Sequence, residues 1–209
     1  MNEMVTRDGW PLGPHPRVRV TQAAEGLPRY RWTVAQIDEL TRLGVFQEQG
    51  GFELIGGEIV PMQSKGARHE RVKMELNRHF GRSLAVDIDF IPETTFRLSE
   101  DTFVEPEFIL FPRSVGVKGL NAQTALLAIE ISDTTLRYDL GRKIAIYASF
   151  GVREVWVVNV ETMVTRVHRE PAAQGYGTVT EHGAAETITP VLVPELSVCL
   201  AALGLASWD

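Results

Sequence analysis

Hydrophobic and polar positions change their period several times along this chain, and the changes mark out its elements. The opening residues hold no sustained pattern. Pro11, Pro14 and Pro16 break any helix there, so residues 1–30 read as an irregular N-terminal segment. From Thr33 the stretch TVAQIDELTRL sets Ile37 and Leu40 at helical spacing, with Thr33 as N-cap and Gly44 as the stop. FELIGGEIVPM follows, two short apolar runs flanking Gly56-Gly57, which predicts a hairpin. Residues 64–84 return to a helical period and place Val72, Leu76, Phe80 and Leu84 on one face. Strands are then predicted at AVDIDFI, EFILF and ALLAIEI, the last so apolar that it reads as central and buried on both faces. YDLGRKIAIYASFG predicts a helix ended by Gly151, and VREVWVVNV another buried strand. Strand, helix, strand in that order predicts a parallel pair with a right-handed crossover. TMVTRVHRE, short β runs near Gly175–Gly177 and His182-Gly183, and the apolar stretch VLVPELSVCLAALGL complete the chain. No repeat or linker divides it, so residues 31–209 read as a single α/β domain.

Composition adds exclusions. No apolar run is long enough to span a bilayer, and MNEMVTRDGWPLG lacks the apolar stretch of a signal peptide. Cys199 is the only cysteine, which excludes a disulfide framework and a Cys-rich zinc site and suits the reducing cytoplasm. Within VCLAAL it reads as a core residue rather than a nucleophile. A formal net charge of −6 argues against binding nucleic acid by bulk electrostatics. The charge is uneven, though. Residues 64–84 carry six Lys/Arg against two Glu, about +4, which leaves about −10 for the rest. Arg68, Arg71, Arg78, Arg82 and His79 share a face of that helix, either as a solvated face or as a contact for backbone phosphates. No glycine-rich phosphate loop, G-x-S-x-G elbow or H-E-x-x-H occurs.

Chemistry concentrates in two carboxylates on neighbouring predicted strands. Glu107 follows Pro106 at the start of EFILF, and Glu130 stands near the end of ALLAIEI. An acid inside an apolar strand is costly unless it is paired or holds a metal. Mg²⁺ takes oxygen ligands and needs only one or two protein carboxylates. The plain alternative has Glu107 at a solvated strand start and Glu130 at a strand end. Asp139, Lys143 and Tyr147 share one helix face by their spacing, with Lys143 beside the apolar stripe of Leu140 and Ile144. Two readings fit that position: an ammonium aimed at the carboxylates, or an exposed Asp–Lys pair with a snorkelling stem. His69 falls on the apolar side of the preceding helix, as a cleft residue or a core histidine. Glu58 follows the Gly-Gly turn, as a cleft acid or a solvated one.

FELIGGEIVPM, then His69 heading a helix, then VEPEFILF, then LLAIEISDTTLRYDLGRKIAIYASFGVREVWVVN together resemble the Uma2 family of PD-(D/E)XK nucleases. The resemblance runs from about Arg31 to about Leu205 and is most specific between Glu130 and Trp156. It implies a restriction-endonuclease-like core: a central mixed sheet flanked by helices, with an N-terminal helix and hairpin and a C-terminal β extension. It also implies Mg²⁺-dependent endonuclease activity on DNA, with Mn²⁺ as a substitute. Glu107 matches the acid of the family's Pro-Asp pair, and Glu130 that of the (D/E)-x-K element. Both are expected metal ligands, with the Ile131 carbonyl as a third. Ser132 stands where the motif has lysine, and the resemblance points to Lys143 as its replacement, to position or deprotonate the attacking water. Glu53, Glu58 and His69 match positions where the family often shows the same residue types. Cleavage of both strands of two-fold symmetric DNA implies a homodimer. The apolar closing stretch is available to such a partner or to the chain's own sheet. The alternative is an inactive module of the same fold that binds nucleic acid or assembles.

Overall fold

Thr33 opens the first helix with a reciprocal cap: its side chain accepts from the Gln36 N–H, and the Gln36 side chain accepts from the Thr33 N–H. Helix α1 (Val34–Arg42) turns Val34 and Ile37 inward and ends before Gly44, whose φ of 81° suits glycine. The hairpin follows as β1 (Phe52–Ile55) and β2 (Glu58–Pro61), joined through Gly56 and Gly57, both at positive φ. The computed structural model describes residues 29–46, 50–62, 64–133, 139–173 and 175–206, with only the backbone at 139 and 140. The chain divides into Met1–Arg31 and Trp32–Asp209. The segment expected to be irregular therefore lies almost wholly outside the described residues.

The second helix is α2 (Ala67–Ser83), and Val72, Leu76 and Phe80 are buried as its period predicts. Strands β3 (Ile88–Pro92), β4 (Phe96–Ser99), β5 (Thr102–Val104), β6 (Phe108–Pro112) and β7 (Leu127–Ser132) follow. A π-helical turn, Asp139–Lys143, runs into α3 (Ile144–Ser149), and then come β8 (Glu154–Asn159), β9 (Thr165–Ala172) and β10 (Gly175–His182). Two sheets form among the described residues where the sequence predicts one. The six-stranded sheet has the order β10-β9-β8-β7-β6-β3, and the other has the order β2-β1-β5-β4. Strands β4 and β5 account for the difference: they are too short for an alternating pattern to register. The β7–β8 pair is parallel, as the strand-helix-strand order predicts, and the neighbouring pairs are antiparallel.

Helix α2 covers one face of the large sheet, and α3 covers the other. Val72, Leu76 and Phe80 pack with Phe108, Leu110, Ile129 and Trp156; Ile144 and Tyr147 pack with Ile109, Ala128 and Val155. The small sheet sends Phe96 and Val104 into the α3 side and rests Leu54 and Phe103 on α1. The closing stretch is consumed inside the chain. Val193, Leu196, Val198, Leu200 and Leu205 are buried in the α2-side core. Of the two uses open to that stretch, a partner or the chain's own sheet, the structure shows the second. Glu154, inside β8, anchors that tail. It accepts from the Trp156 indole (2.8 Å), the Arg169 guanidinium (2.9 Å) and the Val191 N–H (2.8 Å). Among the described residues no helix is long and apolar enough to cross a membrane.

His168 on β9 is buried beside Tyr176, and neither ring nitrogen has a hydrogen-bond partner among the described residues. Burial, then the nearby Arg166 charge, lowers its pKa to about 4. The unfolded chain protonates near the ordinary value of about 6.5, so the unfolded state binds more protons between those pH values. The stability tied to neutral His168 is therefore complete above about pH 6.5 and is lost as pH falls toward 4. Urea midpoints at pH 7 and pH 5 should drop further in the wild type than in His168→Leu. Parallel drops would show that His168 does not set this slope.

Candidate active site

The connection Glu105–Pro106–Glu107 carries the chain from β5 in the small sheet to β6 in the large one, and the candidate site lies at that crossing. Glu107 stands just before β6, and its carboxyl is fully engaged. Oε1 is 2.9 Å from His69 Nε2, and Oε2 accepts from the Ile131 N–H at 3.1 Å. Glu107 and Glu130 lie close enough for Glu130 to act on the charge of Glu107. Glu130 projects from β7 toward α3. Its Oε1 accepts from the Tyr147 hydroxyl at 2.5 Å and pairs with Lys143 Nζ at 2.9 Å. Lys143 in turn pairs with Glu53 Oε1 at 2.8 Å, and the Glu105 N–H donates to that same oxygen at 3.0 Å. Glu53, His69, Glu107, Glu130 and Lys143 are all buried.

Burial alone would raise the Glu107 carboxyl. The His69 hydrogen bond, the Lys143 charge and the Glu130 contact outweigh it and hold the group at about 2. Burial also opposes charge on Lys143, yet Glu130, Glu53 and Glu107 together hold it above the ordinary lysine value. Burial, then the Glu130 and Glu53 charges, lifts the Tyr147 hydroxyl well above its usual range, so it stays a donor. Half-buried Glu105 is raised by burial and then by the Glu53 charge.

The site therefore collects most of the residues singled out in the sequence. Glu107 and Glu130 converge, His69 touches Glu107, and Lys143 takes the inward position with Tyr147 on the same face. The Asp139 side chain lies outside the described residues. Lys143 meets both Glu53 and Glu130, and these acids keep its ammonium charged. Glu58 is half-buried on β2 opposite Ile55, which puts it on the same face as Glu53. Glu53, two residue pairs along the hairpin, is the acid that reaches Lys143. The Ile131 carbonyl faces Glu107. In a strand the N–H and C=O of one residue point the same way. The Ile131 N–H goes to Glu107, while the next carbonyl, Ser132, accepts from Val160 on the β8 side at 3.0 Å.

The basic face of α2 stands apart from this cluster. His69 belongs to the helix's buried stripe, while Arg71 donates to the Gly204 carbonyl, Arg78 pairs with Glu75, and His79 meets the Ser197 carbonyl. Residues at the outer side of the site went unread in the sequence. Lys65, before α2, pairs with Glu93 and lies 3.4 Å from Glu107 Oε1. Glu93 also pairs with Lys73 at 3.0 Å. Glu105 carried a legible sign, since two residues apart on an extended stretch is the same side as Glu107. Lys65 and Glu93 carried none.

These residues fit a divalent cation. Two neighbouring carboxylates and a carbonyl on the Glu107 side of β7 offer a hard-oxygen donor set, and Mg²⁺ fills its remaining positions with water or phosphate. Among the described residues no three His, Cys, Asp or Glu side chains are grouped so as to hold a metal ion; Mg²⁺ needs only one or two protein carboxylates.

Comparison with known proteins identifies the family and the fold. A family model described as "Uma2: Putative restriction endonuclease" matches residues 36–203. A crystal structure of "a putative nuclease belonging to DUF820" from Anabaena variabilis superposes with a TM-score of 0.58 at 16% identity. The match covers 84% of this chain and 99% of that one, and at such identity it speaks for the fold alone. No curated protein matches. The family model reaches from within α1 to the turn Ala201–Leu203, so the chain, which shares a nuclease fold, belongs to the Uma2 family.

Proposed function

We propose that the protein is a metal-dependent endonuclease that hydrolyses phosphodiester bonds, with DNA as its substrate. The observation that carries this reading is the buried meeting of Glu107 and Glu130 at the sheet crossing, braced by Lys143. Buried Glu53 brings the acids to three and half-buried Glu105 stands near them, against the ammonium groups of Lys143 and Lys65. That excess of negative charge suits a divalent cation.

Glu107, Glu130 and the Ile131 carbonyl would hold the ion. Mg²⁺ bound there supplies Lewis-acid stabilisation of charge on the phosphoryl oxygens. His69 fixes the Glu107 carboxyl through Oε1, and the Ile131 N–H fixes it through Oε2. Tyr147 and Lys143 orient Glu130 through one oxygen. Lys143 would set its positive charge beside the reacting phosphate and position the attacking water. Such preorganised charge in a water-poor site is worth more than in solvent.

Purified protein should nick plasmid DNA with Mg²⁺ or Mn²⁺ and stop in excess chelator. Mn²⁺ should support at least as much activity. A Glu at position 107 carries its carboxylate on a longer stem than the Asp of the family motif, and Mg²⁺ demands near-ideal octahedral geometry. Intact plasmid under every metal tested would leave the inactive module of this fold as the better description.

A further inference from the structure

The cluster contains ammonium groups in unlike settings. Lys143 sits inside it, its side chain 6% exposed and clasped by two buried carboxylates. It cannot reach outward without breaking both pairs. Lys65 stands at the outer side, its side chain 21% exposed, on the connection between β2 and α2 rather than within an element. Its main partner is Glu93, whose side chain is 40% exposed. An ion pair this open contributes little and is easily exchanged.

Glu93 is itself held in an unusual way. It follows β3 with φ 48°, in the left-handed region that non-glycine residues rarely adopt, and its N–H donates to the Glu107 carbonyl at 3.2 Å. Backbone held in such a region is strained and persists where the surroundings enforce it. Here it sets the Glu93 carboxylate against both Lys65 and Lys73.

We propose that Lys65 is the residue that grips the substrate's phosphate at the mouth of the site, and that Glu93 parks its ammonium there until substrate arrives. The proposal rests on the nuclease reading and extends it. On arrival of the phosphodiester, the Lys65 Nζ leaves the Glu93 carboxylate and pairs with a non-bridging phosphate oxygen. No bond is made or broken in that exchange. Lys73 remains with Glu70 at 2.8 Å and keeps Glu93 partnered after Lys65 departs.

The test is binding of a fluorescent DNA duplex in Ca²⁺, across a salt series, for the wild type, Lys65→Ala, Lys65→Arg and Glu93→Gln. Mn²⁺ affinity is measured alongside by calorimetry. Lys65→Ala should bind DNA about tenfold more weakly, the low end for a hydrogen bond to a charged group. Its log–log salt slope should be shallower by about 1, the mark of one lost phosphate contact. Its Mn²⁺ affinity should hold or rise, because a positive charge beside Glu107 is gone. Lys65→Arg should restore the slope, and Glu93→Gln should bind DNA at least as tightly as wild type. A lysine that merely props the fold would instead weaken metal and DNA together, and that result overturns the proposal. Wild-type binding that Lys65→Ala leaves unchanged in affinity and slope overturns the role of Lys65 alone. A wild type that neither binds nor cuts DNA overturns the nuclease reading, and this proposal with it.

Discussion

Replacing Lys143 with methionine should destabilise the fold by roughly 3–5 kcal/mol at neutral pH, the usual loss when one partner of a buried ion pair is removed. That is a large part of the 5–15 kcal/mol typical of a domain. The ammonium is 2.8 Å from Glu53 and 2.9 Å from Glu130, and all three groups are buried. Methionine fills much of the volume but leaves those carboxylates without their cation. The pH dependence follows from sign. The folded pKa of Lys143 is raised above its unfolded value, so its stabilisation is complete below about pH 10 and is lost only as pH climbs through the folded value. Between pH 5 and 8 the wild type should therefore show no change from this group. In the variant, acid supplies the missing neutralisation by protonating a carboxylate, so the deficit should shrink as pH falls. Urea unfolding at both pH values measures it, and Lys143→Met combined with Glu53→Gln should recover part of the loss. A variant within about 1 kcal/mol of wild type and indifferent to pH would put this pair in the class of weak surface bridges.

That cost also revises what activity assays on this lysine can mean. A lysine at helical spacing beside an apolar stripe was legible in the sequence, but its direction was not, since an inward ammonium and an exposed Asp–Lys pair fit the same spacing. Its partners were half legible. Glu130 announced itself as an acid in an apolar strand, but Glu53 lies about eighty residues upstream of it, in an unremarkable FELI run. Only the pairing of β1 with β5, and the passage of residues 105–107 into β6, bring Glu53 against Lys143. Short strands such as Thr102–Val104 leave no periodic trace, so the second sheet and the acid it contributes could not be read locally. The same limit hid Lys65 and Glu93, whose contact depends on how two irregular connections approach each other. Glu154, an acid inside the buried strand β8, has a fold role that only the structure shows: it pins the tail that closes the core.

Glu130→Gln should abolish metal-dependent cleavage, with a loss of at least about 100-fold, since removing a mere outer-shell partner of a metal ligand already costs 10–100-fold. The substitution keeps size and shape. Its remaining carbonyl oxygen can still accept from Tyr147, so a collapse of the pocket is not the expected cause. What changes is charge: one carboxylate of the proposed donor pair is gone, and Lys143 loses one of its two counter-ions. Tyr147→Phe is the graded companion. It removes the 2.5 Å donor to Glu130 Oε1 without touching the carboxylate, and Phe fits the packing beside Phe96. Because Tyr147 acts through Glu130, its loss should be smaller, on the order of 10–100-fold, and should appear chiefly as weaker Mn²⁺ affinity, so that raising the metal concentration restores part of the rate. No metal concentration should restore Glu130→Gln. Thermal unfolding of each variant separates these effects from loss of fold. A co-purifying nuclease would cut equally in all three preparations, whereas a site built on Glu130 ranks them wild type, Tyr147→Phe, Glu130→Gln. Cleavage that survives Glu130→Gln undiminished, or persists in excess chelator, would place the activity outside this cluster.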